Sequence, residues 1–230
     1  MCTLEDIDSF SDDQISQCLV AKSIPVYDHM ITNRINVMLL FKTNNTLDAK
    51  NVRYLNNPDF TSIYISCGNL HDALELTKIF TFYSNKKESR GYSFSNFSNH
   101  PITVNGVYYP TTEHYYQSMK FLGTDEMWME VIRKSPTPGI AKKNGSSKTH
   151  RLRTDWEEVK NNIMWETLWY KVSQNRSVFN DIMNTGYQTL IEASPYDSYW
   201  GWGKDKNGRN QLGITWMSIR KYIRENGTQF

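Results

Sequence analysis

Several features that would place a chain quickly are absent from this one. Its three cysteines, Cys2, Cys18 and Cys67, lie far apart with no CxxC pair. That odd, scattered count argues against a disulfide framework and for reduced thiols in a cytoplasm, or in a host cytosol if the source is viral. The five histidines, His29, His71, His100, His114 and His150, show neither HxxxH nor HExxH spacing, so no protein-bound metal and no cofactor are expected. No apolar run approaches the ~18 residues a membrane span requires. The opening MCTLEDIDSF carries acids and lacks a basic n-region and an apolar core, so a secretory signal is not expected. No repeat or low-complexity tract is present.

What remains is an ordinary globular composition: 230 residues, 39% hydrophobic and 22% charged, enough for one good core or two small ones. Charge is unevenly divided. Residues 1–80 hold six Lys and Arg against ten Asp and Glu, a net of −4, and residues 81–230 hold twenty against fourteen, a net of +6. A basic C-terminal part suits a phosphate-bearing ligand, with DNA a candidate partner, and equally suits a mixed solvated surface.

In the first part, Ser11-Asp12-Asp13-Gln14 has the form of a capping box opening a helix through Val20. Ile35 to Phe41 is an apolar run of strand length, and Thr61 to Ser66 alternates like a second strand. Asn69 is placed to cap a helix turning Leu70, Ala73, Leu74 and Leu76 toward a core. Together these predict a small α/β unit over 1–80, followed by the Gly/Ser/Lys-rich boundary segment Ser84 to Gly91.

Beyond it the texture becomes aromatic, and all 7 tryptophans follow residue 127. Patterning predicts helices over Thr112 to Phe121 (capped by Thr111 or Thr112), from about Asp155 to Gln174, from Phe179 to Thr185 with Gly186 as the stop, and from Leu212 to Arg224. Asn105-Gly106 between Ile102–Val104 and Val107–Tyr109 is a hairpin signal. The expected fold is thus α+β: a predominantly helical domain with a few short strands over 81–230, preceded by the small α/β unit.

Three clusters carry candidate chemistry. On the helix TTEHYYQSMKF, Glu113, Gln117 and Lys120 sit at i, i+4 and i+7; the seven-residue advance falls only ~20° short of two full turns, so the three line one stripe. Tyr115, Met119 and Leu122 lie on another face and can anchor the helix. A carboxylate, an amide and an amine in one stripe form either a solvated row or one wall of a polar cleft. In the second cluster, Ser194 to Gly203 interleaves tryptophan and glycine around Asp197, Trp200 and Gly201. Backbone there can approach a ligand closely and indole faces can stack, or the loop can simply pack on its own core. The third, Ser95, Asn96 and Phe97, offers small polar groups beside an aromatic ring.

In order along the chain, Phe82-Tyr83, Phe94-Ser95-Asn96-Phe97, the run Thr112 to Phe121, Trp156, Glu192, Asp197…Trp200-Gly201, Asn210…Leu212-Gly213 and Met217…Arg220 resemble the NADAR superfamily. The likeness covers about Phe82 to Arg224. Two departures stand out: Gly145-Ser146 where Gly-Arg is expected, and Lys171-Val172 where Lys-Phe is expected. The first leaves a phosphate-binding arginine either missing or replaced by Lys148 or Arg151.

The resemblance implies an N-glycosidase acting on ribose joined to an exocyclic amine. Such an aminal can open its furanose to an imine, so an amine beside a carboxylate suits the task. Glu113, Lys120 and Asp197 are the expected catalytic residues, with Lys120 as a Schiff-base nucleophile or Glu113 activating water. Ser95, Asn96, Phe97, Gln117, Trp156, Trp200, Gly201 and Asn210 are expected at the substrate, Trp200 stacking on a base and Asp197 with Asn96 on ribose hydroxyls. Three readings stay open: removal of ADP-ribose from guanine, in DNA or another nucleic acid; hydrolysis of phosphorylated ribosylaminopyrimidines of riboflavin synthesis; and a non-catalytic ADP-ribose-binding module. Oligomeric state is not legible.

Overall fold

The computed structural model describes residues 57–67, 70–83 and 89–227. The expected Ser11 helix, the Ile35 to Phe41 strand and the Asn69 cap lie outside them. The chain divides into two compact units, Met1–Phe80 with Tyr187–Thr189, and Thr81–Gly186 with Leu190–Phe230.

In the first unit, Thr61 to Ser66 is not a strand: α1 spans Phe60–Cys67. The β-branched alternation is overridden by a local start signal. Asn57 accepts the amides of Phe60 (3.0 Å) and Asp59 (3.0 Å), the first through its carbonyl and the second through its side chain. That turn sets the next residues into helical register. α2 spans Leu70–Leu76 as expected, with Ala73 buried, but Leu76 is exposed. The position after it turns inward instead: Thr77 is buried and its hydroxyl donates to the Ala73 carbonyl at 2.6 Å. Asn57 also donates to the Tyr187 carbonyl at 2.8 Å.

The second unit is mainly helical. β1 (Ile79–Phe82) is hydrogen-bonded to β4 (Thr189–Glu192) in a two-stranded sheet. β2 (Ile102–Val104) and β3 (Val107–Tyr109) form the expected hairpin, pairing Ile102 with Tyr109 and Val104 with Val107. Asn105 (φ 50) and Gly106 (φ 79) both take positive φ, the conformation a two-residue turn of this hand demands.

α3 (Thr112–Ser118) continues as a 3-10 turn over Met119–Phe121. α4 (Glu126–Arg133) and α5 (Pro138–Gly145) were not evident from patterning. α6 (Trp156–Gln174) follows, then α7 (Arg176–Asn184), which starts three residues before Phe179, and finally α8 (Gln211–Asn226). The core gathers around Trp216 of α8, fully buried. Its indole donates to the Phe94 carbonyl at 2.9 Å, and Phe94 meets Phe82 edge-on at 5.6 Å. Among the described residues, no helix is long and apolar enough to cross a membrane.

Candidate active site

α3 is buried along its whole length although five of its seven residues, Thr112, Glu113, His114, Gln117 and Ser118, are polar. Burial obliges each polar group to find a partner. His114 Nε2 faces the Ser135 carbonyl at 3.0 Å, which can only accept, so Nδ1 accepts from the Thr111 hydroxyl at 2.8 Å. Burial holds this imidazole below its ordinary range, and it serves as a neutral strut. Ser118 donates to the His114 carbonyl at 2.8 Å. The helix start is tied down by the Asn96 carbonyl, which accepts the Glu113 amide at 3.0 Å. Leu122, expected to anchor this element, lies past its end and is exposed, whereas Tyr115 and Met119 are buried.

With the helix locked, Glu113, Gln117 and Lys120 face one cleft of about 780 Å³. The solvated-row alternative is excluded, because Glu113 and Gln117 are each only 5% exposed. Gln117 Nε2 donates to Glu113 Oε1 at 2.8 Å, while Gln117 Oε1 is buried without a hydrogen-bond partner among the described residues. Gly145 is required beside them, because a Cβ there would collide with the Gln117 side chain.

Burial pushes the Glu113 carboxyl above its ordinary range, opposed by the Gln117 amide and the ammonium groups of Lys142 and Lys120. The Lys120 amine is pushed down, again by burial first, with Glu113 opposing and Lys142 adding to the shift. Its Nζ donates to a neutral acceptor, the Gly145 carbonyl, at 3.2 Å and lies 5.7 Å from the Trp156 ring. No direct ion pair holds Lys120 to a carboxylate among the described residues. Each group favours the other's charged form by less than burial disfavours it, so both are shifted toward neutrality.

The facing wall comes from β4 and the loop after it. Asp197 Oδ1 accepts the amides of Tyr199 (2.9 Å) and Trp200 (2.8 Å), so this side chain shapes the loop as well as lining the cleft. Trp200 meets Tyr116 edge-on at 5.6 Å, and Tyr116 meets Trp156 at 5.2 Å, forming an aromatic side to the cavity. Ser95, Asn96 and Phe97 close one end. That loop is braced from behind by Lys171, a buried amine on α6 that donates to the Ser95 carbonyl (2.7 Å) and the Ser98 hydroxyl (2.6 Å). Its burial lowers the amine well below the ordinary lysine range. Asn96 is itself largely engaged, with Nδ2 on Met164 Sδ at 3.4 Å and Oδ1 accepting the Thr112 hydroxyl at 3.1 Å.

Nine of the expected site residues, Glu113, Lys120, Asp197, Ser95, Asn96, Phe97, Gln117, Trp156 and Trp200, line this cleft; Gly201 and Asn210 do not. Gly201 is pressed by protein rather than left open for a ligand: a Cβ would lie 2.8 Å from the Glu192 carbonyl and 3.0 Å from that of Asp197. Asn210 is an internal brace, accepting the Glu192 amide at 2.9 Å and donating to the Leu190 carbonyl at 2.8 Å. Lys148 and Arg151 are not in the cleft either. Its cations are Lys120, Lys142 and Lys160, with Ser146 where the family arginine was expected.

Patterning missed Lys142, Lys160, Glu157, Tyr116 and Glu192 as site residues. Thr137-Pro138 was the legible signal for the helix that carries Lys142, with the Thr137 hydroxyl capping the Ile140 amide at 3.2 Å. Glu192 stands among the residues that carry the family resemblance, but its place at the end of a short buried strand gives no local sign of a site role.

Carboxylates in unlike environments, a poorly solvated amine and an aromatic wall make up the equipment of a glycosidic-bond hydrolase. The chain belongs to the NADAR domain family, whose model matches residues 81–224. It is 42% identical over 132 residues to the N-glycosidase Npun_R5314 of Nostoc punctiforme, covering 57% of this chain and 85% of that protein. To N-glycosidase YbiA of Escherichia coli it is 37% identical over 145 residues, 63% of this chain and 88% of the relative. The NMR structure of E. coli YbiA superposes with a TM-score of 0.59 at 36% identity, covering 65% of this chain and 86% of that one. A maize chloroplastic riboflavin biosynthesis protein, PYRR, is 36% identical over 160 residues, 64% of this chain but 25% of that protein. The activity is that of an N-glycosidase, and the non-catalytic module is set aside.

Proposed function

We propose that this N-glycosidase releases ADP-ribose from the exocyclic amine of guanine, in DNA or another nucleic acid. The observation that carries the reading is the buried Glu113 set in one cleft with a Lys120 amine that has only a neutral hydrogen-bond acceptor. Ring opening of the amine-linked ribose gives an imine at the anomeric carbon. The Lys120 amine adds there, the bond from the anomeric carbon to the base nitrogen breaks, and the base departs with its amino group intact. Water, activated by Glu113, then clears the lysine Schiff base to free ribose aldehyde. In the direct route, Glu113-activated water attacks the anomeric carbon itself and Lys120 contacts a hydroxyl or phosphate. The lowered amine and the missing ion pair favour the lysine route. Asp197 and Asn96 are assigned to ribose hydroxyls, and Trp200 and Trp156 to stacking.

A cleft of about 780 Å³ with Lys120, Lys142 and Lys160 along it suits a pyrophosphate-bearing ligand. At its mouth, Tyr196 is 89% exposed, while Lys160 lies 4.1 Å and Arg209 5.5 Å from the Tyr199 ring. Cations interleaved with aromatics suit a nucleic acid strand. The likeness to the maize riboflavin protein favours a second substrate, a phosphorylated ribosylaminopyrimidine. Incubation with ADP-ribosylated guanine in an oligonucleotide, and separately with ribosylaminopyrimidine phosphate, decides between them. Free ADP-ribose with unmodified guanine supports the first reading. Ribose phosphate alone overturns it in favour of the second.

A further inference from the structure

Glu113 serves ring opening and water activation, and the departing nitrogen needs a proton from another group. A second carboxyl lines the same cleft. Glu192 is the last residue of β4, and its backbone is fixed on both sides: its amide donates to Asn210 Oδ1 at 2.9 Å, and its carbonyl accepts the Trp202 amide at 3.0 Å. Its side chain is not part of that scaffold. Oε2 is buried and has no hydrogen-bond partner among the described residues, although Glu192 lines the cavity. A buried carboxylate oxygen without a donor is costly, whereas a carboxylic acid in the same place presents an O–H to whatever occupies the cleft. Resting on the reading above, we infer that Glu192 is a further catalytic residue, the acid that protonates the exocyclic nitrogen as the base leaves.

Two carboxyls in one cleft compete for a proton, and the geometry decides between them. Burial and Asp197 disfavour the Glu113 charge, but Glu113 already accepts an N–H from Gln117, and the ammoniums of both Lys142 and Lys120 favour its ionised form. Burial first, then Asp197 and to a lesser extent Glu113, push Glu192 up to about 7, with Lys142 opposing. The hydrogen bonds separate the two roles: Glu113 Oε1 has an N–H donor to hold its carboxylate form, and Glu192 Oε2 has none among the described residues, which gives the base role to Glu113 and the acid role to Glu192. The balance is complete within the site. The bond from the anomeric carbon to nitrogen breaks, its electron pair returns to nitrogen, and the Glu192 Oε2 proton completes the free amino group. The proton shed by the attacking water or lysine amine is taken up by a carboxylate, and exchange with solvent restores the starting state.

The test compares wild-type enzyme with Glu192→Gln and Glu192→Asp on ADP-ribosylated guanosine, reading kcat, kcat/KM against pH, and ADP-ribose affinity. Glu192→Gln should lower kcat by roughly 10²–10⁴-fold, leave ADP-ribose binding intact, and abolish the fall of kcat/KM as pH rises past about 7. Glu192→Asp should restore part of the rate together with that alkaline limb. Retained binding in Glu192→Gln excludes misfolding as the cause of its rate loss. Wild-type kcat and an unaltered profile in Glu192→Gln would overturn the inference and leave the substrate reading standing. A wild-type enzyme that frees no base from any amine-linked riboside would overturn both.

Discussion

Burial at Glu113 works against its charge, and Gln117, Lys142 and Lys120 work for it. Removing the charge while keeping the shape should therefore abolish chemistry and spare the fold: Glu113→Gln is expected to lose at least ~10³-fold in kcat. Lys120→Arg keeps a cation but no nucleophilic amine. If the Schiff base forms, borohydride added during turnover will leave a reduced ribosyl adduct on the Lys120 peptide of the wild type and none on Lys120→Arg. Near-normal turnover by that variant would assign the direct route instead. Glu192 adds a stability signature. Its folded value of about 7 lies above the ordinary unfolded value near 4.3, so its proton supports the fold fully below pH ~4.3, and that support is lost as pH rises through about 7. The loss amounts to about 4 kcal/mol at most. Glu192→Gln should flatten the fall in urea-unfolding stability between those pH values and be the more stable protein at pH 8.

The same residues explain which elements patterning could read. The Asn105-Gly106 hairpin, the start of α6 at Trp156 and the helical run from Thr112 are written in local signals, and they form where expected. The stripe of Glu113, Gln117 and Lys120 was legible as a stripe, but its burial was not, because what covers it comes from α5, α6 and the loop after β4. α1 shows the reverse failure, where a turn at Asn57 outweighs β-branched alternation. Gly201 and Asn210 read as ligand contacts because glycine and asparagine beside tryptophan mark special backbone. The special backbone is real, with Asn210 at φ 52, but it serves the loop rather than a ligand. Asn210→Ala removes the partners of the Glu192 amide and the Leu190 carbonyl, and should cost about 3 kcal/mol in chemical denaturation. Gly145→Ala should act through α3 by displacing Gln117, lowering kcat through Glu113 more than it lowers Tm.

Across the molecule, charge and aromatic placement bear on substrate size. The +6 of residues 81–230 is modest, but Lys160, Arg209 and Lys206 sit on the rings of Tyr199 and Trp202. If a strand lies along this rim, KM for a modified oligonucleotide will rise with salt while KM for the modified nucleoside changes little. Equal salt dependence would confine recognition to the cleft. The account as a whole rests on the buried acid of α3 cutting ribose from an amine, and product analysis of wild type beside Glu113→Gln on ADP-ribosylated guanosine tests it most directly. The prediction is guanosine with its amino group intact and free ADP-ribose from the wild type, with turnover lost and ADP-ribose binding retained in the variant. Equal turnover by the two proteins would contradict it.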